Sequence, residues 1–160
     1  MSTLFDYFSK QNKKPELSKE DWQVVGLLHD ADYEATQKVL DKHTDKITEV
    51  LKNRGVNKLI IDAIRGHSNK APRDTLMAKS VYICDELTGL IVACALVQPD
   101  KKLKSVKLES VLKKFKNKSF AAAVSREQIK LCEKELNIPL EKFISITLSA
   151  MQSKSTDFGL

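Results

Sequence analysis

The chain has little of what breaks or staples a backbone. Five glycines and four prolines in 160 residues leave too few turn-formers for a protein built of many short strands, and no segment carries a convincing strand pattern. The three cysteines, Cys84, Cys94 and Cys132, are an odd number without a CxxC spacing and lie inside apolar helical patterns. A disulfide framework or a zinc knuckle is thereby disfavoured, and the thiols read as core residues of a reducing compartment. No charged-then-apolar leader opens the sequence, so the expected location is cytoplasmic. The longest apolar stretch, 76–97, contains Lys79, Asp85 and Glu86. These make a membrane span costly and a helix buried within a bundle the better reading. There is no internal repeat. Histidine is as scarce as cysteine, at positions 29, 43 and 67 only, so the surroundings of each are informative.

What is present points to helices around one core. Apolar residues make up 42% and charged residues 30%, which excludes disorder, and the length fits one domain able to bury most of its apolar surface. The net charge of +6 is concentrated in one place. Eight lysines (Lys101, Lys102, Lys104, Lys107, Lys113, Lys114, Lys116 and Lys118) stand against Asp100 and Glu109, a surplus equal to the charge of the whole chain. That run is either a solvated face or a surface attractive to phosphate.

Residues 1–17 form an N-terminal segment with an aromatic cluster, Leu4, Phe5, Tyr7 and Phe8. Apolar residues this dense near a chain end must dock, either on the core of the domain or on a partner. Leu4 followed three and four residues later by Tyr7-Phe8 resembles the box by which replication proteins bind sliding clamps, with Met1 where that box carries Gln. The helical domain is expected over 18–152. Ser18 and Asp21 make a capping box for its first helix, with Leu17 placed to staple onto Trp22. A second helix is expected over 36–54, with a possible break near Thr44 and Gly55 as its stop. Asn57 caps a third, 76–97 is a central buried helix stopped by Pro99, and Leu108, Val111, Leu112 and Phe115 form a further apolar face. Ser125 with Gln128 opens the next helix, and Pro139 the last, whose stripe is Phe143, Ile146 and Ala150. Residues 153–160 are expected to be a flexible tail.

The arrangement is organised around Leu27-Leu28-His29-Asp30-Ala31-Asp32-Tyr33. Trp22, Val25, Gly26 and His29 share one helical face, so His29 continues a buried stripe, and the carboxylate of Asp30 at the edge of a core needs a partner or an ion. His43 follows the four-residue spacing of Val39, Ile47 and Leu51. His67 ends the stripe Ile60, Ala63, Ile64. Asp85 lies in the longest apolar helix beside Val81, Thr88, Gly89 and Val92, where an ionised carboxylate is strongly destabilised without a cation or donors. Each histidine alone reads as a core residue. His29 and His67 at stripe ends and His43 on an inward face, with two acids placed this way, make a metal site the better reading.

With those residues in place the sequence resembles the HD-domain superfamily of metal-dependent phosphohydrolases, an all-helical family named for an adjacent His-Asp pair, and most closely its small stand-alone prokaryotic members. The resemblance runs over about 22–151. It is carried by Gly26-Leu27-Leu28-His29-Asp30-Ala31-Asp32-Tyr33-Glu34, Ala63-Ile64-Arg65-Gly66-His67, Asp85-Glu86-Leu87-Thr88-Gly89-Leu90 and the later block Lys113-Lys114-Phe115-Lys116-Asn117-Lys118-Ser119-Phe120-Ala121-Ala122. It implies an all-α, HD-like helical bundle in which His29, Asp30 and Asp85 are direct metal ligands. His43 and His67 would serve a second metal or the substrate phosphate. Asp30, His43 and His67 would be the catalytic set. Oxygen and imidazole donors suit a divalent ion such as Mn, Fe, Mg or Zn, which activates water and neutralises phosphoryl charge. The substrate would be a small phosphate ester or nucleotide, with Lys113, Lys114 or Arg126 drawing in its phosphates. The chain departs from the family pattern in one respect: that pattern has a further metal-binding histidine on a helix before the pair, and residues 1–28 contain none. Another group then fills that position, or the metal is weak, or the chain is a degenerate module that binds a ligand or protein without turnover. The short N-terminus also leaves little room for the preceding helix pair, so a homo-oligomer in which a neighbouring subunit covers the core is expected.

Overall fold

The computed structural model describes residues 1–157 and 159. Among them are eight α-helices and no strand, as the scarcity of glycine and proline implied. The chain divides into two units, Met1–Tyr82 and Ile83–Leu160, and the division falls inside the longest helix.

In the first unit, α1 (Ser2–Lys10) buries Leu4 and Phe8 against α2 (Lys19–Leu28). Phe5 and Phe8 meet the Trp22 ring at 5.8 and 5.9 Å between centroids. Leu4 and Phe8 are therefore spent on the chain's own core, which leaves only a half-buried Tyr7 of the clamp-like box. The start of α2 is fixed locally. Ser18 Oγ accepts from the Asp21 amide at 3.1 Å while the Asp21 carboxylate accepts from the Ser18 amide at 3.0 Å, the reciprocal capping box that satisfies two free amides at once.

The expected 36–54 helix is not one element. Residues 30–38 are turns, Leu40–Lys42 is a single 3-10 turn, and only then does α3 (Asp45–Asn53) begin. The break is caused by Thr44, whose φ of 69° is incompatible with a continuing right-handed helix. His43 is consequently buried from an extended backbone position and not from a helix face. The end of α3 does follow the sequence, since Gly55 takes φ 65° and lets the Val56 amide reach back to Leu51 O at 3.0 Å. Asn57 then caps α4 (Lys58–His67), which buries Ile60, Ala63, Ile64 and His67 and packs against both α2 and α3.

The long helix α5 (Leu76–Leu96) opens on two carboxylate hydrogen bonds, with the Leu76 and Met77 amides donating to Glu16 at 3.1 and 3.4 Å. It buries Met77, Ala78, Ser80, Val81, Ile83, Leu87, Leu90, Ile91, Cys94 and Ala95, so it is the central buried helix. No helix among the described residues is long and apolar enough to cross a membrane.

In the second unit, α6 (Leu108–Lys116) and α7 (Arg126–Glu135) each pack on α8 (Leu140–Gln152). Ser125 caps α7 by accepting from the Gln128 amide at 3.2 Å. The buried face of α8 is Phe143, Ile144, Thr147, Leu148 and Met151, rotated from the expected Phe143–Ile146–Ala150 stripe because Thr147 is taken inside. Of the expected tail, residues 153–157 form turns with Ser155 buried, and Phe158 and Leu160 lie outside the described residues.

Candidate metal centre

The termini of α2 and α4 and the extended link at 43 bring three imidazoles round one carboxylate. His29 caps the C-terminal end of α2, and its Nδ1 lies 2.9 Å from Gly26 O. His67 closes α4, with Nδ1 against Ile64 O. His43 Nδ1 lies 3.0 Å from Asp32 Oδ1. A carbonyl or an ionised carboxylate oxygen can only accept, so in all three rings Nδ1 carries the proton and donates it. The lone pair of each neutral ring is then on Nε2, and these atoms turn toward Asp30.

Asp30 Oδ1 is 3.1 Å from His43 Nε2 and 3.3 Å from His67 Nε2, which are 2.9 Å from each other. The other carboxylate oxygen, Oδ2, is 3.6 Å from His29 Nε2. Two imidazole lone pairs cannot face each other at that separation with a carboxylate beside them unless a cation, either a proton or a metal ion, lies between. Where that cation is a proton on His67 Nε2, the ring donates to Asp30 and this hydrogen bond holds the Asp30 carboxyl below the ordinary carboxylate range, with the proximity of His29, His67 and His43 adding to it against the opposing effect of burial. Metal geometry agrees: cis ligands at about 2.1 Å from an octahedral ion stand about 3.0 Å apart, and about 3.4 Å apart round a tetrahedral one. Asp30, His43 and His67 form a triangle with edges of 2.9–3.3 Å and belong to one group able to hold an ion. His43 and His67 are buried while the Asp30 side chain is 52% exposed, so the triangle is closed at its base and open on the Asp30 side.

One residue that carries this geometry was not singled out from the sequence. Asp32 is buried, and besides accepting from His43 it accepts from the Thr44 amide at 2.8 Å and the Ile47 amide at 3.1 Å. Burial alone would raise its carboxyl, but the bonds from Thr44, Ile47 and His43 prevail and hold it below the usual range. Thr44, in its left-handed conformation, makes no side-chain cap for α3. Asp32 supplies that cap from twelve residues upstream and in the same act fixes the His43 tautomer, as a metal ligand's outer partner commonly does. The available signal was a second acid two residues beyond the His-Asp pair.

Of the other expected residues, Asp85 is half-buried on α5 beyond the unit boundary, with its backbone carbonyl accepting from Thr88 Oγ1 at 2.7 Å. Lys113 is exposed, and Lys114 Nζ lies 4.3 Å from the centre of the Phe120 ring. Arg126 is buried, and its guanidinium donates to the carbonyls of Ala121, Val124, Asn117 and Phe120. Those bonds commit it to holding the 117–124 turn, and its expected part in drawing in substrate phosphate is accordingly set aside.

The chain is thus an all-helical protein with imidazoles gathered round an aspartate that directly follows one of them, a group able to hold an ion. The model of the HD domain family matches residues 3–90, more than half of the chain and all of His29, Asp30, His43, His67 and Asp85. The chain therefore belongs to the HD-domain family. The match starts earlier and ends sooner than the expected 22–151, leaving the 113–122 block outside it. No curated protein and no solved structure was found to match.

Proposed function

We propose that this chain is a metal-dependent phosphohydrolase acting on a small phosphate ester or nucleotide, an activity found within its family. The observation that supports this most is the convergence of His43 Nε2, His67 Nε2 and Asp30 Oδ1 within 2.9–3.3 Å of one another, with every Nδ1 already engaged. Such a donor set fits a divalent transition ion better than Mg, which prefers oxygen ligands alone. When bound, the ion supplies Lewis acidity toward a phosphoryl oxygen and acidifies water.

The residues contribute position. Asp32 and Ile64 O keep the buried rings in one tautomer, so their basic nitrogens need no reorganisation to receive a cation. Asp30 directs one oxygen to His43 and His67 and the other to His29, so these are the residues that would hold the ion. The exposure of Asp30 leaves room there for a phosphate group. Asp85 enters this proposal as a ligand on its place in the longest apolar helix and on the sequence resemblance, and Lys113 and Lys114 enter it as phosphate attractors. The test is metal analysis of protein purified without added metal, together with phosphate release from a nucleotide and phosphate-ester panel in Mn or Mg. Stoichiometric divalent metal and turnover, both abolished in Asp30→Ala, are expected. Turnover indifferent to that substitution would refute the assignment, and bound metal with no turnover on any substrate would leave a module that binds without hydrolysis.

A further inference from the structure

Apart from Lys113 and Lys114, on which the proposed function draws, the lysine run at 101–118 is absorbed neither by the metal centre nor by packing. In the first unit several lysines are neutralised locally: Lys19 by Asp6 at 2.6 Å, Lys38 by Glu34 at 3.1 Å, Lys58 by Asp62 at 2.5 Å and Lys70 by Asp45 at 2.8 Å. Among the described residues, none of the eight lysines between 101 and 118 stands within ion-pair distance of a carboxylate. The Asp100 carboxylate is occupied by its own loop, accepting from the Lys102 amide at 3.1 Å and from Ser105 Oγ at 2.5 Å.

The run is also held on a fixed scaffold. Gln152 Nε2, on α8, donates to Leu103 O at 3.0 Å and Val106 O at 2.9 Å. Leu103, Val106, Val111 and Phe115 are buried, and Arg126 grips the carbonyls of the turn that follows α6. Seven of the eight lysines are exposed and Lys114 is half-buried. A solvated face with so much like charge at fixed positions gains nothing for its own fold, since unpaired like charges repel.

We propose that this surface binds the phosphate backbone of double-helical nucleic acid without reading sequence. Two observations select that partner among polyanions. Leu103, Val106, Val111 and Phe115 of the run are buried and Leu108 and Leu112 half-buried, so apart from Leu96 and Val97 just ahead of it the described residues of this stretch present no exposed apolar face to enter a lipid interface, which surface-bound amphipathic helices require. Of the aromatic rings in this stretch, Phe115 is buried and Phe120 is half-buried under Lys114, so among the described residues the stretch offers no stacking platform of the kind that retains unpaired bases. What remains is charge, which the dense phosphates of a duplex match. Lys102, Lys104, Lys107, Lys116 and Lys118 of this surface take no part in the proposed hydrolysis.

The experiment is fluorescence anisotropy of the full chain with a labelled mixed-sequence DNA duplex. With each phosphate contact contributing about 0.9 to the slope, six net charges give log K against log salt a slope near −5, or roughly a thousandfold weakening from about 50 to about 200 mM salt. The triple variant Lys102→Gln, Lys104→Gln, Lys107→Gln, with unchanged circular dichroism, should flatten that slope by about 2.7. The pair Lys116→Gln, Lys118→Gln serves as a second, independent variant and should flatten it by about 1.8. No binding at low salt, a slope unchanged in both variants, or tighter association with phosphatidylserine-containing vesicles than with the duplex would overturn the proposal.

Discussion

Replacing Asp32 should injure the fold and the metal centre together, because one carboxylate serves both. In Asp32→Ala the Thr44 and Ile47 amides lose their acceptor and the His43 Nδ1–H loses its own, three bonds of 2.8, 3.1 and 3.0 Å. A donor left buried without a partner costs about 1–3 kcal/mol, and Ile47 at least can recover part of this from water because its bond is only partly buried. A total loss of about 3–4 kcal/mol follows. For a chain of this length each kcal/mol lowers the melting midpoint by about 2–4 °C, so a fall on the order of 10 °C is expected. The metal readout is separate. Freed from Asp32, the His43 ring can take the other tautomer or rotate, and loss of such an outer partner lowers metal affinity by about 10–100-fold. Asp32→Asn distinguishes the two effects. Its carbonyl oxygen can still accept from Thr44 and His43, but its amide would face the Ile47 N–H donor to donor, so a smaller loss of about 1–2 kcal/mol is expected with metal affinity mostly kept. Thermal melting of metal-free protein and competition against a fluorescent chelator measure both. If Asp32→Ala melts within about 2 °C of the parent and binds metal equally well, the account of this carboxylate is wrong.

Two further outcomes test the rest of the structure. Phe8→Ala should cost about 3–4 kcal/mol, because the ring is fully buried against Trp22. The single tryptophan should report it as a red-shifted emission, and a loss under about 1 kcal/mol would mean that α1 does not dock on α2. Burial, with Glu133 adding to it, pushes the Cys132 thiol up to about 12, so at pH 8 only about one molecule in ten thousand carries the thiolate. Iodoacetamide should leave this residue unmodified in native protein and label it in denaturant, as read by peptide mass; rapid native labelling would contradict its placement.

The parts of the fold that could be read in advance are those decided within a few residues. The Ser18–Asp21 box, the Asn57 and Ser125 caps and the left-handed Gly55 stop are local chemistry, and the helices they bound lie where the sequence puts them. The stretch 29–44 is different. Gln37, Lys38 and Thr44 all take positive φ without being glycine, and nothing in their identities announces it. Lys38 closes a turn with its amide on Tyr33 O at 2.9 Å, while Thr44 is held by contact made at a distance, its amide on Asp32 at 2.8 Å. The four-residue spacing of Val39, His43, Ile47 and Leu51 therefore suggested a helix through 43 that a twelve-residue hydrogen bond forbids. His29 and His67 were legible because each ends an apolar stripe, His43 because it shares a spacing with apolar residues, and Asp30 because it is a carboxylate beside one of them. Asp32 was not, because its neighbours are polar and its burial is entirely tertiary.

That the site sits at helix ends has a physical reason. The last turn of a helix leaves carbonyls without amide partners, and both His29 and His67 use such a carbonyl three residues back, Gly26 O and Ile64 O, to anchor Nδ1. Two of the three rings thus obtain their orienting acceptor from the backbone and need no further side chain. Were α2 or α4 to continue by a turn, the following amides would take these carbonyls and the tautomers would be released. His43 has no helix end to draw on, because Thr44 turns the chain before α3 begins. It must have a carboxylate instead, and Asp32, already required as the cap of α3, is the group that provides it. The break in the expected helix and the one ring oriented by a side chain are consequences of the same left-handed residue.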